Sequence, residues 1–84
     1  MEQIKKLRKQ IDGIDRKIVN LIEKRISIAK EIGGIKKREG MEIKDPVREE
    51  EVFRNVSKTS LDNKFVKKIY KEIIDYCKSE EERG

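Results

Sequence analysis

Eighty-four residues, 46% of them charged and 35% hydrophobic, make one domain at most and leave a lone monomer little core. The net charge of +5 sits in the first segment: residues 1–40 carry twelve Lys/Arg against six Asp/Glu, and residues 41–84 ten against eleven. The longest basic run there is Lys36-Lys37-Arg38, which suits a small anionic ligand better than nucleic acid. With no histidine and one cysteine, histidine-based catalysis, ordinary zinc sites and an intrachain disulfide are excluded. The free thiol, the lack of a signal-peptide core and the lack of a membrane-length apolar stretch lead us to expect a cytoplasmic protein with no membrane association.

The spacing predicts a first helix from about Glu2 to about Arg38. Its apolar seam runs Ile4, Leu7, Ile11, Ile14, Ile18, Leu21, then Arg25, then Ile28, Ile32, Ile35, at alternating steps of three and four. Such a helix is roughly 55 Å long, whereas a compact chain of this size has a radius of gyration of only about 12 Å. It overhangs any core its own chain builds, so a symmetric homodimer is expected, with a solitary helical arm as the plainer alternative. Arg25 is the anomaly. A permanent cation within an apolar seam is costly unless an anion meets it. Lys36 follows eleven residues later, on the same face to within about 20° and roughly 16 Å along the axis, so the two side chains are placed to lean toward one ligand. Arg8 projects about 100° away and reaches such a pocket only from a second copy. Arg8, Arg25 and Lys36 each also have a plainer reading as solvated surface cations. Gly33-Gly34 costs roughly 1 kcal/mol per glycine within a helix, which predicts close approach of a backbone or ligand, or else a kink.

Gly40 is a natural left-handed stop. Asp45 then caps a short second helix with Pro46 at its first position and Glu49, Glu50 and Glu51 near its positive end, closing near Ser57 or Lys58. Its free N–H groups and Arg48 are further candidates for holding oxygen atoms, beside the reading of a capped surface helix with charged decoration. Val52, Phe53 and Val56 form its apolar face. Ser60 or Asp62 caps a third helix from about Asn63 to near the C-terminus. Phe65/Val66, Ile69/Tyr70, Ile73/Ile74 and Cys77 mark its buried stripe, and the continuation 70, 74, 77, 81 puts Cys77 and Glu81 on the core face. Glu81 as a terminal acid paired with a nearby cation is the alternative.

The fold expected is therefore all-α: three helices, long, short and medium, in a symmetric homodimer, with residues 1–84 as a single domain. No nucleophile–base pair, phosphate-binding glycine loop or metal-ligand cluster is visible. A pocket of arginines and lysine suits a reaction that needs positioning and charge stabilisation.

The stretches LRKQIDGID (Leu7–Asp15), IEKRISIAKEIGGIK (Ile22–Lys36), KDPVREEEV (Lys44–Val52) and IYKEIIDYCKSEE (Ile69–Glu81) resemble the all-helical class of chorismate mutases. The resemblance covers nearly the whole chain, and the joint order and spacing of Arg8, Arg25, Lys36, Asp45 and Arg48 carry it. It implies an intertwined dimer that isomerises chorismate to prephenate without a cofactor, in phenylalanine and tyrosine synthesis. By resemblance, Arg25 and the second copy's Arg8 hold the two carboxylates of the substrate. Lys36 bonds a carboxylate and the ether oxygen. The Asp45 backbone and the Glu49 carboxylate contact the ring hydroxyl, and Arg48 lines the same end. Two positions depart from the commonest pattern. Cys77 falls where serine or asparagine is frequent, so a carboxylate contact is weakened or lost. Glu81 falls where glutamine often donates to the ether oxygen; a glutamate does so only in its protonated form, with a pKa raised by burial.

Isochorismate pyruvate lyase, with the same fold and a similar cationic pocket, is the nearest alternative. A basic helical dimer that binds nucleic acid is another, set against interleaved charges and scarce aromatics. A bare coiled-coil module is a third; it tolerates Arg25→Leu, where the enzyme loses activity.

Overall fold

Isoleucine, lysine and glutamate at helical spacing, with no proline before Pro46, allow one uninterrupted run of helix. The computed structural model describes residues 1–83 and contains α1 (Glu2–Arg38), α2 (Pro46–Val56) and α3 (Asn63–Arg83). Helix α1 passes through Gly33-Gly34 unbroken. It ends where Gly40 takes φ +67°, with Gly40 N–H donating to the Lys37 carbonyl and Met41 N–H to the Lys36 carbonyl. That pair of bonds is a Schellman stop, which satisfies carbonyls the helix leaves open. Asp45 caps α2, its Oδ1 accepting from Arg48 N–H at 3.1 Å. Of the two caps considered for α3, Asp62 serves: its Oδ1 accepts from Lys64 N–H at 2.8 Å. Helix α2 closes at Val56, a residue or two before the expected end.

The molecule measures 58 × 25 × 14 Å, with a radius of gyration of 16.3 Å, well above the roughly 12 Å of a compact chain of this length. The long helix sets that shape. Helix α3 packs on the C-terminal part of α1, and α2 packs on α3. No Cα of α2 comes within 8 Å of one in α1. The buried apolar residues are few: Ala29, Val66, Ile74 and Cys77.

Helix α3 does not cover the apolar seam read from the sequence. It lies on the neighbouring stripe of α1, where Ala29 and Gly33 are buried and Ile22 and Ile26 half-buried. The seam remains open to solvent along its length, from 39% exposure at Ile4 to 63% at Leu21, with Ile28, Ile32 and Ile35 within that range. Small residues decide which stripe α3 takes, because they let its backbone come close. A Cβ placed on Gly33 would lie 2.8 Å from Glu81 Cα and 2.8 Å from its carbonyl oxygen. Gly34 faces only the Arg38 guanidinium at 3.7 Å. Of the predicted close approach, then, Gly33 accounts for the contact. On α3, the second member of each predicted apolar pair turns inward: Val66 and Ile74 are buried and Tyr70 half-buried, while Phe65 and Ile69 stay exposed.

Candidate active site

Between the three helices lies a pocket of about 250 Å³. Helix α1 supplies Arg25 and Lys36, and the start of α2 supplies Asp45, Arg48 and Glu49. Helix α3 supplies Cys77, Lys78 and Glu81. Ile28, Ala29, Ile32, Ile43, Val52 and Ile74 form its apolar walls. Seven of the eight site residues expected from the sequence thus line one cavity. The eighth, Arg8, is solvent-exposed on α1, seventeen residues before Arg25 and about 25 Å away along the axis. It takes no part in this pocket within one chain.

Local structure accounts for each position. Arg25 is half-buried at the edge of the α1–α3 contact, and its Nη1 donates to Cys77 Sγ at 3.0 Å. Sulfur is a weak acceptor, so this bond holds the guanidinium in place without neutralising it. Lys36, three turns on, donates to the Ile43 carbonyl at 3.0 Å, within the connection that follows the Schellman stop. Asp45 is engaged in capping α2. Arg48 Nη1 bonds Glu51 Oε1 along α2 at 3.2 Å. Glu49 Oε2 accepts from Lys78 Nζ at 3.1 Å, and both side chains are largely shielded.

The Glu81 carboxyl enters from the far end of α3, just where the α3 backbone rests on Gly33. Burial pushes its pKa above the ordinary carboxyl value, against the opposing pull of the Lys36 and Arg25 cations. Two contacts beside it hold the last turn of α3 to α1. Lys37 Nζ donates to the Glu82 carbonyl at 2.7 Å, and Lys30 Nζ lies 3.8 Å from Glu80 Oε2.

Sequence reasoning missed two participants, Lys78 and the Ile43 carbonyl, and one buried acid outside the pocket, Glu80. Lys78 follows Cys77 and reads as surface charge; only its reach across to α2 brings it into the cavity. The Ile43 carbonyl carries no side-chain signal at all. Glu80 is buried, at 8% exposure, between Lys30 and Arg83. Its spacing of 73, 77, 80 is as helical as 74, 77, 81, so the pattern admitted it, but its charge argued for solvent.

The arrangement sets four cations, Arg25, Lys36, Arg48 and Lys78, around apolar walls, with Glu81 as an acid held toward its neutral form. Among the described residues no group of three His, Cys, Asp or Glu side chains is placed to hold a metal ion. None of the described helices is long and apolar enough to cross a membrane. A small anion with an apolar body fits such a site.

Comparison with known proteins places the chain in a family. The chorismate mutase type II family matches residues 7–82. The chain is 37% identical to a bifunctional chorismate mutase/prephenate dehydratase of Aquifex aeolicus, over 99% of its own length and a quarter (25%) of that protein's. It is 35% identical to a chorismate mutase of Methanocaldococcus jannaschii, covering 94% of this chain and 84% of that one. A solved chorismate mutase from Thermus thermophilus superposes with a TM-score of 0.91 at 31% identity, over 96% of both chains. The family match over residues 7–82 and these likenesses show that the chain belongs to the chorismate mutase type II family.

Proposed function

We propose that this chain is a chorismate mutase, an isomerase that converts chorismate to prephenate, and that it works as a homodimer. The observation that carries the reading is the convergence of Arg25, Lys36, Arg48 and Glu81 on one small, apolar-walled pocket. Chorismate is a flexible dianion. Its rearrangement forms one C–C bond as one ether C–O bond breaks, with no atom gained or lost. Holding the folded conformer removes an entropic part of the barrier. Negative charge gathers on the ether oxygen as the bond breaks, so donors aimed there bind the transition state more tightly than the substrate.

In this reading Arg25 holds one carboxylate and Arg8 of the second copy holds the other. Lys36 leaves the Ile43 carbonyl to bond a carboxylate and the ether oxygen. Protonated Glu81 donates to that oxygen from the opposite side, which its raised pKa favours. Glu49 and the backbone at Asp45 take the ring hydroxyl, with Arg48 beside them. Cys77 keeps Arg25 oriented, where a harder acceptor would compete for its charge. The open seam on α1 supports the dimer: an apolar stripe of this length exposed on a single chain calls for a second copy, and pairing brings Arg8 to a pocket that lacks it.

Chorismate consumption by the purified protein tests the reading, with Arg25→Ala alongside. Prephenate formed by the parent and lost in the variant supports it. Turnover of isochorismate to pyruvate and salicylate instead, or no turnover of either substrate, rejects it.

A further inference from the structure

Lys78 is the pocket cation with no part in the reaction scheme. It sits on α3 one turn before Glu81, and its side chain is 26% exposed. Its Nζ lies 3.1 Å from Glu49 Oε2 and 4.0 Å from Asp75 Oδ1 on its own helix. Asp75 is the weaker claimant, since its other oxygen already holds Lys71 Nζ at 3.0 Å. Among the described residues, the Lys78–Glu49 bridge is the one ion pair that joins α2 to another helix. Helix α2 packs on α3 and makes no Cα approach within 8 Å to α1, so this bridge ties Glu49 to the α3 side of the cavity.

The chemistry of the site makes that bridge consequential. Glu49 is a carboxylate in a pocket read as taking a dianion, and a bare carboxylate there repels the ligand. Pairing with Lys78 offsets the charge and occupies only Oε2. We infer that Lys78 is a positioning residue: it screens Glu49 from the anionic ligand and orients it, leaving Oε1 free to accept the ligand's ring hydroxyl. This inference rests on the chorismate mutase reading. The hydroxyl stands on the ring carbon next to the breaking C–O bond but makes and breaks no bond itself, so its contact is present in substrate and transition state alike. Loss of such a contact raises KM and leaves kcat in place.

Steady-state kinetics on chorismate decide the matter. Lys78→Met raises KM about tenfold with kcat within about twofold, as expected for a partly shielded charge pair broken on one side. Lys78→Arg keeps the cation and stays within about threefold of the parent KM. Lys67→Met, an exposed charge removed from the same helix, leaves KM unchanged and controls for net charge. In a Glu49→Gln background, Lys78→Met adds less than about twofold, because its effect runs through Glu49. If Lys78→Met unfolds by circular dichroism, Lys78→Gln carries the same comparison. An unchanged KM overturns the inference. So does a full multiplicative effect in the Glu49→Gln background, or a fall in kcat at constant KM, which would put Lys78 at the breaking bond. A parent protein with no turnover overturns the chorismate reading first, and this inference with it.

Discussion

The two ends of α1 share one heptad rhythm and meet different fates. From Leu21 to Ile35 the helix carries two adjacent apolar stripes. One of them, Ile22, Ile26, Ala29 and Gly33, takes α3; the other lines the pocket with Arg25, Ile28 and Ile32 and is otherwise open to solvent. From Ile4 to Ile18 it carries one apolar stripe, and nothing in the same chain covers it. On the neighbouring stripe in this half, Arg8, Asp12 and Asp15 replace the small residues that would admit a helix. Periodicity therefore says that a helix has a face to bury. The size of the residues on that face says whether its own chain is the partner. The half packed by its own chain holds the pocket. The open half holds the one expected site residue, Arg8, that the pocket lacks.

Substitutions in the two halves should break this division in different ways. The largest effect is expected at Arg25. Arg25→Ala should lower kcat/KM by about 10²- to 10³-fold, the usual range for removing one preorganised charge from a reacting site. Helicity and association, followed by circular dichroism and light scattering, should stay intact. Next comes the open stripe: Ile11→Glu should halve the solution mass seen by light scattering and abolish most turnover, since Arg8 can no longer reach a second pocket. Retained mass with full activity would remove the open half from function altogether.

The glycine pair sharpens the comparison at smaller scale. Gly33→Ala puts a methyl group into the α3 backbone and should destabilise by about 1–3 kcal/mol, as overpacking does, with kcat falling because Glu81 is displaced. Gly34→Ala meets only a flexible guanidinium and should stabilise by up to about 1 kcal/mol. Thermal melts of both variants test the contrast. The pH response follows from the Glu81 carboxyl, whose pKa burial raises. The group donates only while protonated. So kcat/KM should be highest on the acid side and fall as pH rises through the raised pKa, and Glu81→Gln should flatten the profile. A flat parent profile would remove Glu81 from the donor role.

Much of this was legible beforehand. Three helices, the Gly40 stop and the Asp45 cap follow from local chemistry that needs no tertiary information. Arg25 and Lys36 were recoverable because a cation in an apolar period is a visible anomaly. The stripe that α3 chose was less visible: Ile22, Ile26, Ala29 and Gly33 repeat at the same spacing as the seam, but two of them are too small to register as hydrophobic signal. Lys78 and the Ile43 carbonyl were hidden for another reason. Their roles depend on the separation between α2 and α3 and on the path of a connection, and neither distance is encoded in the residue itself.

The contact at Gly33 sets how wide the cavity is. Since the main chain of α3 rests on a bare Cα, no rotamer change at position 33 cushions that wall, and the gap is set by backbone against backbone. Each carbon added at position 33 moves the carboxyl-bearing wall outward. A chamber for a bulkier dianion is therefore to be sought at this position, which touches no ligand, before any residue that does.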